Sequence, residues 1–264
     1  MDERGVTDTL HRPARPSSKP PRYSVVIPVY NSAQIVGATI AQTIAFFEHH
    51  GWSCEIIAVN DGSTDRSWEV LREMARERTC VTAVDLVSNC GQHTATFCGL
   101  SLTEGDFVVT LDDDLQQPPD EIARLIEKAE EGYDLVCGRY RRVGAVRRLG
   151  GWTIELLDRW LFHKPAGFVF SSFRLMRRDV VERLREYRAP DPYLRGLLVR
   201  CASSPANVWV DHRPRAVGRS GYDAIAFARF GLRMLRTYWE LKRGGWRSPQ
   251  AVIEIREVVG LGGS

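Results

Sequence analysis

Two rhythms of apolar and polar positions alternate through the first half of the chain. YSVVIPVY (23–30), CEIIAVN (54–60), VTAVDLV (81–87), DFVVTLD (106–112) and YDLVCGRY (133–140) are short, β-branched, nearly continuous apolar runs, the pattern of strands buried on both faces. Between them the period lengthens to that of a helix. Ile35, Val36, Ile40, Ile44 and Phe47 share one face after Ser32, a candidate helix cap, and helices are also predicted over 66–78, near 92–103 and from about 119, where Ile122, Leu125, Ile126 and Ala129 align. Buried strands alternating with amphipathic helices predict an α/β fold with a mainly parallel, Rossmann-like sheet flanked by helices.

After residue 150 the pattern loosens. A mixed aromatic and charged helix is expected at 152–162, then an apolar segment AGFVFSSFRLM (166–176), helices over 179–187 and near 192–200, and a strand in ANVWVDHR (206–213). A last helix, about 223–243, interleaves aromatics with arginines. The first 22 residues mix proline and charge with few apolar positions and read as a disordered leader. The expected organisation is a leader (1–22), a catalytic domain (23–222) and a C-terminal amphipathic helix with a tail (223–264).

In a parallel sheet, ligands collect at the carboxyl ends of the strands. Four predicted strand ends carry polar groups: Tyr30-Asn31, Asn60-Asp61-Gly62-Ser63, Asn89, and the run Asp112-Asp113-Asp114. Alternation along a strand aims Asp112 and Asp114 to one side. Two carboxylates there suit a hard divalent ion, Mg²⁺ or Mn²⁺, with Gln116 as a further oxygen donor. A solvated acidic turn leading into a helix has the same local pattern. Asp61 offers an acceptor for the ring N–H of a nucleobase with Tyr30 stacking nearby, or closes an Asx turn. No glycine-rich phosphate loop follows the first strand, which disfavours a dinucleotide or P-loop nucleotide.

Charge refines this picture. The net charge is only +3, and four of the 36 lysines and arginines are lysine. Arginines cluster with glycines in GRYRRVGAVRRL (138–149) and RPRAVGRSGY (213–222), a composition shared by phosphate-contacting loops and by solvated faces. An acidic crevice would repel a nucleic-acid backbone, so no nucleic-acid partner is expected. The six cysteines show no metal spacing, consistent with free thiols in a reducing, cytoplasmic setting. No apolar stretch approaches the ~20 residues of a membrane span.

The ordered pieces VVIPVYN (25–31), VNDGSTDRS (59–67), EGDFVVTLDDDLQQPPDEI (104–122), GRY (138–140), SSFRLMRRDV (171–180), YLRGLLV (193–199) and RPRAVGRSGY (213–222) resemble family 2 glycosyltransferases of the GT-A fold. The likeness is greatest to polyprenyl-phosphate and dolichyl-phosphate hexose transferases. It implies that Pro28, Tyr30, Asn31 and Asp61 hold the nucleoside of a nucleotide-diphospho-sugar. Asp112, Asp114 and Gln116 would hold the metal, with Asp113 near the donor. Arg139, Arg174, Arg215 and Ser220 would contact phosphates, and Asp114 and Arg215 would act in catalysis. It further implies transfer with inversion to a polyprenyl phosphate at the membrane face, with a membrane-protein partner or the final helix providing attachment. A soluble hydroxyl acceptor, or a non-catalytic nucleotide-binding homologue, is the alternative. The chain departs from many relatives at Ser32, where they carry Glu. It also departs at Ser172, where some carry Asp, and at Gly221, where a lysine is common.

Overall fold

The computed structural model describes residues 23–140, 156–187, 192–213, 224–243 and 253–260. The leader, most of both arginine–glycine loops, and with them Arg215 and Ser220, lie outside the described residues.

The alternating pattern becomes β1 (Tyr23–Val29), α1 (Val36–His49), β2 (Cys54–Asn60), α2 (Ser67–Glu77), β3 (Val81–Leu86), α3 (Gln92–Ser101), β4 (Phe107–Thr110), α4 (Ile122–Glu130) and β5 (Leu135–Tyr140). A helix over 156–162 (α5) follows. Then come β6 (Arg174–Arg177), α6 (Arg178–Arg185), α7 (Leu194–Cys201), β7 (Pro205–Val210), α8 (Ala224–Lys242) and β8 (Ile255–Val259). The eight strands form one sheet in the order β7-β5-β6-β4-β1-β2-β3-β8. β1, β2, β3 and β4 pair in parallel, as do β5 and β7, while β6 and β8 run antiparallel to their neighbours.

Both faces of the sheet are covered, which is why β1 is buried at every position. Val25, Ile27 and Val29 pack against α1, α2 and α4 on one face. On the other, Val26 meets α3, α6 and α7, and Ile57, Val59 and Val84 meet α3. The chain steps outward from β1 to β2 and β3 and then returns to the opposite side of β1 as β4. The resulting switch point lies between the carboxyl ends of β1 and β4, where α/β sheets place their ligands.

Pro28 helps to open that crevice. The amide of Leu111 donates to the Val26 carbonyl, the last described backbone bond between β1 and the β4 segment. Pro28 comes next on that side with no N–H to continue the ladder, while β1 still pairs with β2 through Asn60.

Two expectations change. β4 ends at Thr110, so the aspartates occupy a turn beyond the strand. The residues expected as a C-terminal tail include β8, which joins the sheet edge. There Arg256 donates from Nη1 to Asp85 Oδ2 (2.8 Å) and from Nη2 to the Val87 carbonyl (2.8 Å).

Helix α3 sits close on the sheet because Gly99 faces it. A Cβ at Gly99 would lie 2.4 Å from Val26 Cγ1 and 3.2 Å from Val59 Cγ2. Gly99→Ala is therefore expected to cost about 1–3 kcal/mol by overpacking, read as a lower urea midpoint. An unchanged midpoint would contradict this close contact.

Candidate functional site

The turn after β4 sends its three carboxylates to different neighbours. Asp112 faces α3 and the segment before β6: Oδ1 accepts from Gln92 Nε2 (2.6 Å), and Oδ2 from Gln117 Nε2 (2.9 Å) and Ser172 Oγ (2.5 Å). Asp113 faces the loop after β1, where Oδ2 accepts from Ser32 Oγ (2.5 Å) and the Tyr30 amide (3.2 Å). The Asp113 carbonyl accepts from Thr39 Oγ1 (3.0 Å), fastening the turn to α1. Asp114 is buried, and its Oδ1 accepts the Gln116 amide (3.1 Å). Leu115, between them, has a φ of 55°, the left-handed backbone that reverses the chain direction there.

Ser32 thus has a different task from the one its position suggests. Helix α1 starts at Val36 without a side-chain cap, and the Ser32 hydroxyl is directed to Asp113 instead. The loop that carries it is fastened to the β2–α2 loop. The Asn31 amide donates to Ser63 Oγ (3.0 Å), Asn31 Oδ1 accepts from the Thr64 amide (2.8 Å), and the Ser32 amide donates to Ser67 Oγ (2.8 Å). Tyr30, half exposed, stands at the mouth of the crevice.

Asp61 is buried at the end of β2, and its two oxygens accept the amides of Cys90 (2.7 Å) and Gly91 (2.8 Å). Its carboxylate therefore anchors the β3–α3 loop. Gly62 makes the approach of these loops possible, since a Cβ there would lie 2.5 Å from the Asn89 nitrogen.

Of the paired glutamines, Gln117 is the one whose side chain reaches an aspartate. It is buried, and it donates to Asp112 and to the Tyr140 hydroxyl (3.3 Å). Gln116 instead bonds the segment after β7 that leads into the second arginine–glycine loop. Its carbonyl accepts the Arg213 amide (2.8 Å), and its Nε2 donates to the Arg213 carbonyl (3.3 Å). The expected phosphate contacts separate in a similar way. Arg174 is buried on β6 and donates from Nε to Thr110 Oγ1 (3.1 Å), beneath the aspartate turn. Arg139 is exposed on β5, with its guanidinium 4.6 Å from the centre of the Trp209 ring, while its neighbour Tyr140 faces Gln117.

Gln92, Gln117, Ser172 and Tyr140 were not expected from sequence as site residues. Ser172 carried a signal as a departure from the family pattern. Gln117 escapes a reading based on strand alternation because β4 ends at Thr110, so the alternation that relates Asp112, Asp114 and Gln116 does not hold in the turn.

Burial dominates the electrostatics. It raises the Asp112 pKa against hydrogen bonds from Ser172 and Gln117 that lower it, and the Asp114 charge raises it further. Burial likewise pushes Asp113 up to about 6, with Asp112 and Asp114 adding to the rise. His93, at the start of α3, is pushed down to about 3 by burial and then by Arg233, Arg174 and Arg195, so it is neutral near pH 7. Arginine remains charged even where, as at Arg174, burial lowers its pKa.

Among the described residues, no group of three or more His, Cys, Asp or Glu side chains forms a ready-made metal cage. The donor chemistry nevertheless fits a hard divalent ion that takes one or two carboxylates and completes its shell with phosphate oxygens. A cation beside the turn would also relieve the charge repulsion that raises Asp112 and Asp113.

Known proteins resemble this chain in sequence and in fold. The model of the family described as Glycosyl transferase family 2 matches residues 24–185. The chain is 38% identical over 209 residues to the undecaprenyl-phosphate 4-deoxy-4-formamido-L-arabinose transferase of Pseudomonas paraeruginosa (strain DSM 24068 / PA7), covering 76% of this chain and 60% of the relative. It is 37% identical to the transferase of the same name from Edwardsiella ictaluri (strain 93-146), covering 75% and 62%. The chain thus spans about three fifths of the length of these curated relatives. Its fold is similar to glucosyl-3-phosphoglycerate synthase from Mycobacterium tuberculosis, solved with Mn²⁺, uridine diphosphate and phosphoglyceric acid. That match has a TM-score of 0.60 at 19% identity, covering 88% of this chain and 80% of the other. Mannosyl-3-phosphoglycerate synthase from Rubrobacter xylanophilus matches with a TM-score of 0.56 at 20% identity, covering 87% and 77%.

The hydrogen bond from Ser32 favours the charged form of Asp113, so its loss should raise that pKa further. Carboxyl ¹³C NMR is expected to show Asp113 titrating near 6, and higher in Ser32→Ala. A wild-type value near 4, or no shift in the variant, would contradict the arrangement.

Proposed function

The chain belongs to glycosyl transferase family 2, and we propose that it moves a glycosyl group from a nucleotide-diphospho-sugar to a polyprenyl phosphate, with inversion at the anomeric carbon. The observation that carries this reading is the Asp112–Asp114 turn at the β1/β4 switch point, with each carboxylate held in place by a different neighbour. The names of the relatives at 37–38% identity support the acceptor class.

In this reading Asp112 and Asp114 hold a divalent cation, Mg²⁺ or Mn²⁺, and Gln116 supplies a further oxygen. When bound, the ion offsets charge on the diphosphate. Asp113 fixes the β1 loop so that Pro28, Tyr30 and Asn31 flank the nucleoside, and Asp61 orders the facing loop. Arg174 supplies a fixed positive charge behind the turn, and Arg139, Arg215 and Ser220 contact phosphates. Such fixed charges are worth most where the leaving diphosphate develops charge. A polyprenyl phosphate is already anionic near pH 7, so its attack on the anomeric carbon needs no general base. This acceptor lies in a bilayer, so the enzyme would work at the cytoplasmic membrane face, alone or with a membrane-protein partner.

The test is a panel of UDP-, GDP- and dTDP-sugars, together with a 4-deoxy-4-formamido-L-arabinose donor, each assayed with and without polyprenyl phosphate. One donor is expected to be consumed only when polyprenyl phosphate and a divalent ion are both present. Transfer to a soluble hydroxyl instead would select the alternative acceptor, and no transfer with any donor would favour a binding-only homologue. Asp114→Asn is expected to lower turnover by about 10²-fold or more, the scale seen when one charge-stabilising group is removed. Unchanged turnover at limiting Mn²⁺ would remove Asp114 from the metal site. Arg215→Ala is expected to raise the KM of the donor or of the acceptor, and normal kinetics for both would make its loop structural.

A further inference from the structure

β8 closes one edge of the sheet, and its apolar side chains seat it there. Ile255 and Val258, with Ile253 just before the strand, pack against the core that Val59, Val84 and Leu86 form with α3. Pairing with β3 also covers backbone groups that a bare edge would expose. Neither task requires the side chain of Arg256. That side chain is 57% exposed, a setting in which an ion pair ordinarily contributes little. Both of its bonds nevertheless run inward, to the buried Asp85 carboxylate and to a main-chain carbonyl.

The first arm leads to the loop after β2. Asp85 and Asn60 stand opposite each other on β3 and β2. Asn60 Nδ2 donates to Asp85 Oδ1 (2.6 Å), while Arg256 occupies Oδ2. That bond orients the Asn60 amide, whose Oδ1 accepts from the Ser63 amide (3.4 Å). Ser63 Oγ in turn accepts the Asn31 amide, so a continuous series of bonds runs from Arg256 to the β1 loop. The second arm leads to the loop after β3. The Val87 carbonyl accepts from Arg256 Nη2, and the Val87 amide donates to the Glu254 carbonyl (3.0 Å). Val87 is therefore fixed from the β8 side, and Asp61 fixes Cys90 and Gly91 just beyond it. Between these holds the loop presses on Gly62, where a Cβ would lie 2.6 Å from the Ser88 carbonyl carbon. Gln92 follows and reaches Asp112.

We propose that Arg256 is a positioning residue for the donor: its two arms hold the loops after β2 and β3 in the arrangement that flanks the nucleoside. The proposal rests on the reading of the crevice as a nucleotide-diphospho-sugar site. Arg256 acts from the sheet edge, so its effect on the crevice passes through Asp85, Asn60 and Val87. Removing it takes the charged partner from a buried carboxylate, a loss that favours rearrangement of the Asp85–Asn60 pair. The same removal frees the Val87 carbonyl at the root of the second loop.

The test compares the full chain with Arg256→Ala, and with Val259→Ala as a control that weakens β8 at its far end, opposite Ala83. Without ligand, amide hydrogen exchange over 60–67 and 86–92 is expected to be about tenfold faster in Arg256→Ala. Val259→Ala is expected to lower the melting midpoint and leave exchange in those two segments unchanged. Arg256→Lys keeps a charge for Asp85 and lacks the second arm, so exchange should slow again over 60–67 and not over 86–92. Calorimetric titration with UDP, GDP and dTDP in the presence of Mn²⁺ then reads the site itself. The diphosphate that the wild type binds is expected to bind about tenfold more weakly to Arg256→Ala, the scale of one charged hydrogen bond, and equally well to Val259→Ala. Unchanged affinity in Arg256→Ala, or the same loss in both variants, would overturn the proposal and leave β8 a stabilising edge. If the wild type binds none of the three, the donor reading falls. Faster exchange in Arg256→Ala would then still support Arg256 as the residue that orders the two loops, and unchanged exchange would overturn it.

Discussion

Three consecutive aspartates repel one another, and in a partly buried turn each must find its own compensation. The site is organised by this constraint. Asp112 is held by donors from α3, from the turn itself and from the segment before β6, Asp113 by the β1 loop, and Asp114 by the backbone of its own turn. Together these bonds draw the β1 loop, α3 and the segment before β6 to the aspartate turn, so the carboxylates serve as the assembly point for three segments distant in sequence from it. The compensation is incomplete, since burial still raises Asp112 and Asp113. In the proposed reading, a divalent cation at the turn would offset this unfavourable charge and the diphosphate would complete its shell.

The sheet makes the assembly possible. Because β4 returns to the far side of β1, the loops after these two strands diverge around a crevice instead of packing together. Pro28 prevents the ladder from closing it. The antiparallel strand β6, inserted between β4 and β5, then brings Ser172 and Arg174 under the aspartate turn. One serine from the β1 loop and one from the β6 approach thus grip neighbouring aspartates from opposite sides.

Much of this was legible in the sequence. The five buried strands up to residue 140 and the helices between them follow from period alone, because burial on both faces leaves runs such as VVIPV no other home. The convergence of Tyr30, Asp61 and the aspartates at the strand ends follows from the parallel topology. Three features did not follow, each for a physical reason. A strand's end is set by where its partner stops pairing, so β4 ends at Thr110 although the apolar run continues to Leu111. That displaced the parity argument and hid Gln117 behind Gln116. β8 pairs with β3 across most of the chain, and only long-range contact distinguishes IREVV from a tail. Ser32 reads locally as a helix cap, and its actual partner, Asp113, is 81 residues away.

The central claim is that the β1/β4 crevice holds a metal-bound diphosphate at the aspartate turn. Crystals of the full chain grown with Mn²⁺ and the nucleoside diphosphate of the accepted donor test it most directly, through an anomalous difference map at the manganese edge. The account predicts one strong peak in coordination contact with Asp114 and the diphosphate oxygens. A map with the nucleotide ordered in the crevice and no manganese at the turn, or with manganese bound elsewhere, would contradict it.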